Sequence, residues 1–341
     1  MPPEISSPPL AGLKVLDLTR LLPGGFCTRL LADLGAAVVK LEDPGAGDYM
    51  RLLSGALLFP ALNRGKRSVV LDLKNALGRA AFLRLAERFD VLVESFRPGT
   101  LARLGCGYDE LRARHPGLIY CAMSGYGQAG ERAARSGHDL NYTATAGLLA
   151  GRDQPFTVPV ADFCGGYAAA LAIVAAVEGR RRTGQGRFLD TAITEAVRPL
   201  ALVRRSGVQL EGSLACYNLY PTADGKQISL GALEPKFFSA FCTAVGRAEL
   251  VAAQFDAARQ EELKAELAAI FAGRTRQQWE TFFAEVDACG AAVLTPEEAF
   301  AGMAAPGPGP EQGEHTDEVL AEAGFSAAEI EALRSAGAIK A

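Results

Sequence analysis

Two short segments in the middle of the chain carry residue types suited to proton transfer. One is Ser136-Gly137-His138-Asp139-Leu140-Asn141-Tyr142, the other Val160-Ala161-Asp162-Phe163-Cys164-Gly165-Gly166. The chain has only three histidines, and His138 lies in a polar stretch behind a glycine. Asp162 stands just ahead of Gly165-Gly166 and an Ala-rich run, Tyr167 to Val177, that reads as a helix. Its carboxylate is therefore expected near a helix N-terminus, as an anion favoured by free N–H groups and the helix dipole. An imidazole and a carboxylate on separate loops can face one substrate from two sides. That arrangement suits moving a proton from one face of a carbon to the other. Taken singly, a histidine beside an apolar run is more often structural, and an aspartate ahead of a helix is more often a plain cap.

The elements around these segments alternate. Leu13–Leu18, Ala37–Leu41, Ser68–Leu73, Val91–Glu94 and Leu118–Met123 read as strands, and Phe26–Leu34, Asn75–Phe89 and Tyr108–Arg114 as helices. This is an α/β pattern with a mostly parallel sheet. Pro23-Gly24-Gly25 reads as a turn and does not match the dinucleotide fingerprint. Beyond Arg187–Asp190 the texture changes. A helix near Ala192–Val203 and an irregular stretch, Arg204–Asn218, precede two strands within Tyr220–Leu230 around Asp224-Gly225. Helices follow at Pro235–Val245, Gln260–Ala272 and Thr275–Glu285, and Pro306–Pro310 has linker composition. Two short helices, Asp317–Ala323 and Ala327–Ser335, close the chain. The expected division is a large α/β domain of residues 1–200 with 305–341, and a smaller α+β domain of 201–304.

Composition narrows the function classes. A net charge of -4 argues against nucleic-acid binding, which carries a basic footprint. The longest apolar run, Ala168–Val177, is too short for a membrane span, so no membrane association is expected. Met1-Pro2-Pro3-Glu4 lacks the features of a signal peptide. The seven cysteines form no CxxC pair, which fits reduced thiols, a cytoplasmic location and no metal site.

Taken together, the motifs resemble the family III CoA-transferases (CaiB/BaiF type), and within them the α-methylacyl-CoA racemase branch. The resemblance runs from about Leu10 to Leu294 and resumes at Gly313–Ser326. It is carried by Leu30–Ala36, Asn63-Arg64-Gly65-Lys66-Arg67-Ser68, Phe96-Arg97-Pro98-Gly99, Gly137-His138-Asp139, Ala161-Asp162-Phe163, Gly231-Ala232-Leu233-Glu234-Pro235 and Gly313-Glu314-His315-Thr316. His138 and Glu234 are what favour the racemase branch, because transferases usually carry another residue at the histidine. The stretch Ser206–Ser213 also has no run of glycines. Val158 and the short segments Ser213–Tyr217 and Ala301–Gln312 depart from the racemase pattern.

The resemblance implies a CaiB/BaiF-type fold, with a Rossmann-like CoA-binding domain and a smaller domain in an interlocked homodimer. It implies transfer of the α-proton of a 2-methylacyl-CoA thioester, with His138 oriented by Glu234 on one face and Asp162 on the other. The alternative it leaves open is a CoA-transferase using Asp162 as nucleophile. CoA binding is implied for Arg20, Leu21, Leu22, Leu71, Lys74, Phe96, Arg97, Arg103, Leu104 and Tyr142, with no cofactor beyond the CoA of the substrate. An arginine often stands in the family where this chain has Asp43.

Overall fold

The computed structural model describes residues 7–53, 55–206 and 210–340. It divides into two compact units, residues 1–202 with 305–341 and residues 203–304. The first unit is built on six parallel strands: β1 (Lys14–Leu18), β2 (Ala37–Glu42), β3 (Arg67–Val70), β4 (Val91–Glu94), β5 (Ile119–Ser124) and β6 (Arg187–Ala192). Their order is β3-β2-β1-β4-β5-β6, the doubly wound order in which the chain reverses direction across the sheet between β1 and β4. The reversal opens a crevice beyond the carboxyl ends of these two strands, where such sheets bind ligands.

Strands β1 to β5 are buried on both faces, which is why they read as largely apolar runs and not as an alternation, while the edge strand β6 is mostly exposed. One face packs Leu16, Leu18, Leu92 and Tyr120 against Phe82 and Leu85 of α2 (Ala76–Ala86). The same face receives Val319, Leu320, Ile330 and Leu333 from the returning C-terminal segment. That segment also docks on the edge strand, where Thr316 Oγ1 accepts the N–H of Val70 at 3.1 Å. The other face packs Val15, Val91, Val93 and Cys121 against α1 (Leu21–Asp33) and a 24-residue helix, α4 (Val160–Thr183).

Three expectations need correction here. Helix α1 begins at Leu21, so Pro23-Gly24-Gly25 forms its first turn and not a loop before it. Proline is tolerated there because first-turn N–H groups have no intrahelical acceptor. Helix α4 begins at Val160, so Asp162 and Gly165-Gly166 lie inside it. The glycines have a packing reason: a Cβ on Gly166 would lie 2.9 Å from the Pro23 carbonyl, and one on Gly165 2.8 Å from Ile193. Helix α4 is also longer than the apolar run suggested, long and apolar enough to span a membrane by length and composition alone. Ala169, Ile173 and Ala176 are fully or almost fully buried in the core against α1 and the sheet.

The second unit pairs β7 (Tyr217–Pro221), β8 (Gln227–Gly231) and β9 (Gly290–Ala292) in an antiparallel sheet. Its core gathers Phe238, Phe241, Phe271 and Trp279, and the Trp279 indole N–H donates to Phe271 O at 2.8 Å. Residues 207–209, within the stretch Ser206–Ser213, lie outside the described residues.

Candidate active site

His138 is the N-cap of a short helix, α3 (Asp139–Thr145), where the Asn141 side chain accepts its backbone N–H at 3.0 Å. It is therefore anchored to a helix end, as Asp162 is, rather than to a free loop. Tyr142 fixes this corner. Its hydroxyl donates to Gly137 O, and its ring occupies the space that side chains at Gly125 and Gly137 would need. The ring also meets Tyr126 edge-on at 5.3 Å, and burial pushes the phenol up to about 12.

Asp162 sits in the first turn of α4, and a second carboxylate holds that turn. Asp139 Oδ1 accepts the N–H groups of Ala161 at 2.6 Å and Asp162 at 3.1 Å. The exposed donors of the helix end are thus engaged by Asp139. Asp162 is not favoured as an anion, contrary to the expectation from its position alone. Burial first, and the Asp139 charge second, push its carboxyl up to about 7. The sequence marked Asp139 only as part of the Gly137-His138-Asp139 motif and gave it no role, because its partner amides lie more than twenty residues away.

His138 and Asp162 line one cleft of about 200 Å³ at the carboxyl ends of β4 and β5, with Arg20, Leu21, Phe96, Arg97, Arg135, Tyr142 and Ile193 among its walls. A second cleft, of about 260 Å³, shares Arg20 and Phe96 with the first. Its walls are Leu18, Leu41, Leu71 and Leu104, with Lys74, Asp43 and Asp72 among its charged groups. An elongated ligand can therefore run from one cleft into the other past Arg20.

Two of the sequence-derived CoA positions face neither cleft. Leu22 is buried against Met50, Phe59 and Leu62, and Arg103 is exposed, with its guanidinium on the Thr100 hydroxyl at 3.0 Å. Glu234 belongs to the second unit, at the N-cap position of α5 (Pro235–Ala244).

The turn bearing Arg20 is held from beneath. Asp17, fully buried, accepts from Thr19, Thr28 and Lys66, and Lys40 and Lys66 keep its carboxyl down at about 2 despite burial. Asp48 accepts the N–H of Leu21 at 2.9 Å and pairs with buried Lys40 at 2.8 Å. Leu21 is thereby kept at φ 65, a left-handed conformation unusual for a branched side chain. Across the crevice, Glu94 accepts the N–H of Phe96 at 2.7 Å, and its burial lifts the carboxyl to about 7. Among the described residues, no group of three or more His, Cys, Asp or Glu side chains is placed to hold a metal ion.

A profile of the CoA-transferase family III matches residues 10–305. The chain belongs to CoA-transferase family III. Within this family it is 35% identical to the alpha-methylacyl-CoA racemase of Homo sapiens, over 96% of each chain. It is also 37% identical to the succinyl-CoA--D-citramalate CoA-transferase of Chloroflexus aurantiacus, over 71% of this chain and 66% of that one. A crystal structure of a CaiB/BaiF family protein from Brucella suis superposes with a TM-score of 0.78 at 27% identity, over 93% of this chain and all of that one. The family III fold is thus shared by racemases and transferases, and the residues of the cleft have to separate the two chemistries.

Proposed function

We propose that this family III protein is a racemase of 2-methylacyl-CoA thioesters, working by a two-base 1,1-proton transfer. The observation that carries the reading is the cleft shared by His138 and an Asp162 whose carboxyl is raised to about 7. One base must start protonated and the other free, and a carboxyl raised to the working pH can fill either state. His138 takes the α-proton from one face while the Asp162 carboxyl delivers a proton to the other. In the reverse direction the two exchange roles. The guanidinium groups of Arg20, Arg97 and Arg135 line the same cleft and favour the negative charge of the enolate between the two steps.

In this reading the thioester end occupies the first cleft and the adenosine of CoA the second, between Leu71 and Leu104 and near Lys74. The interlocked homodimer belongs to the same proposal. The exposed Leu52, Leu53, Leu57, Tyr167 and Leu171 of the large unit support it, since such apolar side chains gain from a partner surface.

The test is solvent exchange at Cα. Enzyme with a chiral 2-methylacyl-CoA in deuterated water should incorporate deuterium and racemise the substrate without any added acid. A strict requirement for a second carboxylic acid, with no label at Cα, would move the protein to the transferase chemistry of its citramalate relative.

A further inference from the structure

We propose that Asp43 receives the ribose diol of the bound adenosine, so that this enzyme takes 3′-dephospho-CoA thioesters as readily as CoA thioesters. The inference rests on the placement of adenosine in the second cleft. Asp43 directly follows β2, one strand over from the crevice. The place just beyond the second strand of a doubly wound sheet is also where dinucleotide-binding members of this architecture hold a ribose hydroxyl with an acid, although α1 here opens without their glycine fingerprint. An arginine in that neighbourhood accommodates a phosphate on the ribose instead.

The charges of the cleft point the same way. Its lining carries Arg20 and Lys74 against Glu42, Asp43, Asp48 and Asp72. Glu42 is neutralised by Arg51 at 2.7 Å and Asp48 by Lys40 at 2.8 Å, leaving Asp43 and Asp72 opposite Arg20 and Lys74. No surplus of positive charge is left for a phosphate of roughly −2.

Among the described residues, Arg20 is the one cation reaching both clefts, and it is already engaged. It pairs with Asp43 and lies over the Tyr49 and Phe96 rings at 5.2 and 5.4 Å. Asp43 Oδ1 in turn accepts the N–H of Gly45 at 2.9 Å, which fixes the carboxylate in the cleft wall. A carboxylate is an acceptor only, with lone pairs to spare beyond these two donors. Two ribose hydroxyls donate to it without disturbing the Arg20 pair. A 3′-phosphate removes one of those donors and sets an anion beside an anion.

The experiment compares kcat/KM for deuterium exchange on one 2-methylacyl group carried by CoA and by 3′-dephospho-CoA. Wild type should show a value for the 3′-dephospho-CoA thioester no lower than about a third of that for the CoA thioester. Asp43→Arg should raise the preference for CoA by at least about tenfold, the size of one charge-assisted phosphate contact. Calorimetric binding of free CoA and free 3′-dephospho-CoA gives the same comparison without chemistry, so a failed racemase reading leaves this test intact. Asp43→Asn, which keeps the shape, should weaken binding of 3′-dephospho-CoA more than of CoA. A wild-type preference for CoA beyond threefold, or a ratio unmoved by both substitutions, would overturn the proposal.

Discussion

The Asp139 carboxylate accepts the backbone N–H of Asp162 at 3.1 Å, so one acid caps the helix turn that carries the other. This pairing has two effects. It fixes the turn of α4 geometrically, and it places a negative charge beside a carboxyl that burial already pushes up. The usual inference from an aspartate in a helix's first turn is a stabilised anion. Here burial reverses it, and Asp139, which takes up the same amides, adds to the reversal.

The pairing is open to a direct test. Asp139→Asn keeps an oxygen acceptor for the two amides but removes the charge. Asp162 should then titrate below about 7, yet stay above an ordinary aspartate because burial persists. The limb of the kcat/KM–pH profile that reports Asp162 should move toward acid. A limb that stays in place would mean that Asp139 acts only as a cap.

The raised carboxyl also costs stability at neutral pH. Unfolded, Asp162 ionises near 3.8; folded, near 7. Between these values the unfolded chain has already lost its proton, so the Asp162 contribution to stability falls as pH rises from about 4 through about 7. Asp162→Asn, inactive by the proposed mechanism, escapes this penalty. Its stability relative to wild type should grow across that range, by roughly 1–3 kcal/mol at pH 8. Urea denaturation at pH 4 and pH 8 measures it, and a parallel pH dependence for the two proteins would argue against the raised carboxyl.

Much of the large unit is legible in the chain itself. Val91–Glu94, Tyr108–Arg114 and Ala327–Ser335 coincide with their sequence-derived limits because apolar runs, flanking glycines and a Ser326 cap mark them. The start of α1 was hidden because Pro23-Gly24-Gly25 is turn chemistry by local rules. A Cβ on Gly24 would strike the Thr19 side chain and one on Gly166 the Pro23 carbonyl, contacts that only the packed fold creates. Strand β9, three small residues Gly290–Ala292, shows no alternation and exists through its pairing with β8. In the site, residue types marked His138 and Asp162. Their environment was not legible, because burial of Asp162 and its contact with Asp139 arise only from tertiary packing.

The buried ions beneath the Arg20 turn form a third point of test. Asp17→Asn leaves Lys40 and Lys66, both fully or nearly fully buried, without their shared counter-ion. Breaking a buried pair from one side costs about 3–5 kcal/mol. The substitution should lower the urea midpoint accordingly. Wild type itself should lose the Asp17 contribution as pH falls from near 3.8 toward about 2, since this carboxyl is depressed in the fold. A midpoint unchanged by Asp17→Asn would show that the network is not a support of the turn.

The division between base and nucleophile at Asp162 can be decided with two measurements on one sample. His138 is exposed at its helix end, so His138→Ala should fold as wild type does. Its α-proton exchange should nevertheless fall by at least about 10²-fold, the loss typical of one general acid–base group. A transferase needs no second proton-transfer group, and there the substitution should leave acyl exchange largely intact. The complementary reading is chemical. A nucleophilic Asp162 becomes an acyl anhydride and then a CoA thioester during turnover, and hydroxylamine or borohydride traps either species on its peptide. A base leaves the substrate thioester whole, so the peptide bearing Asp162 should be recovered unmodified after turnover. Stoichiometric label on that peptide, together with an active His138→Ala, would assign Asp162 to acyl transfer and leave His138 outside the chemistry.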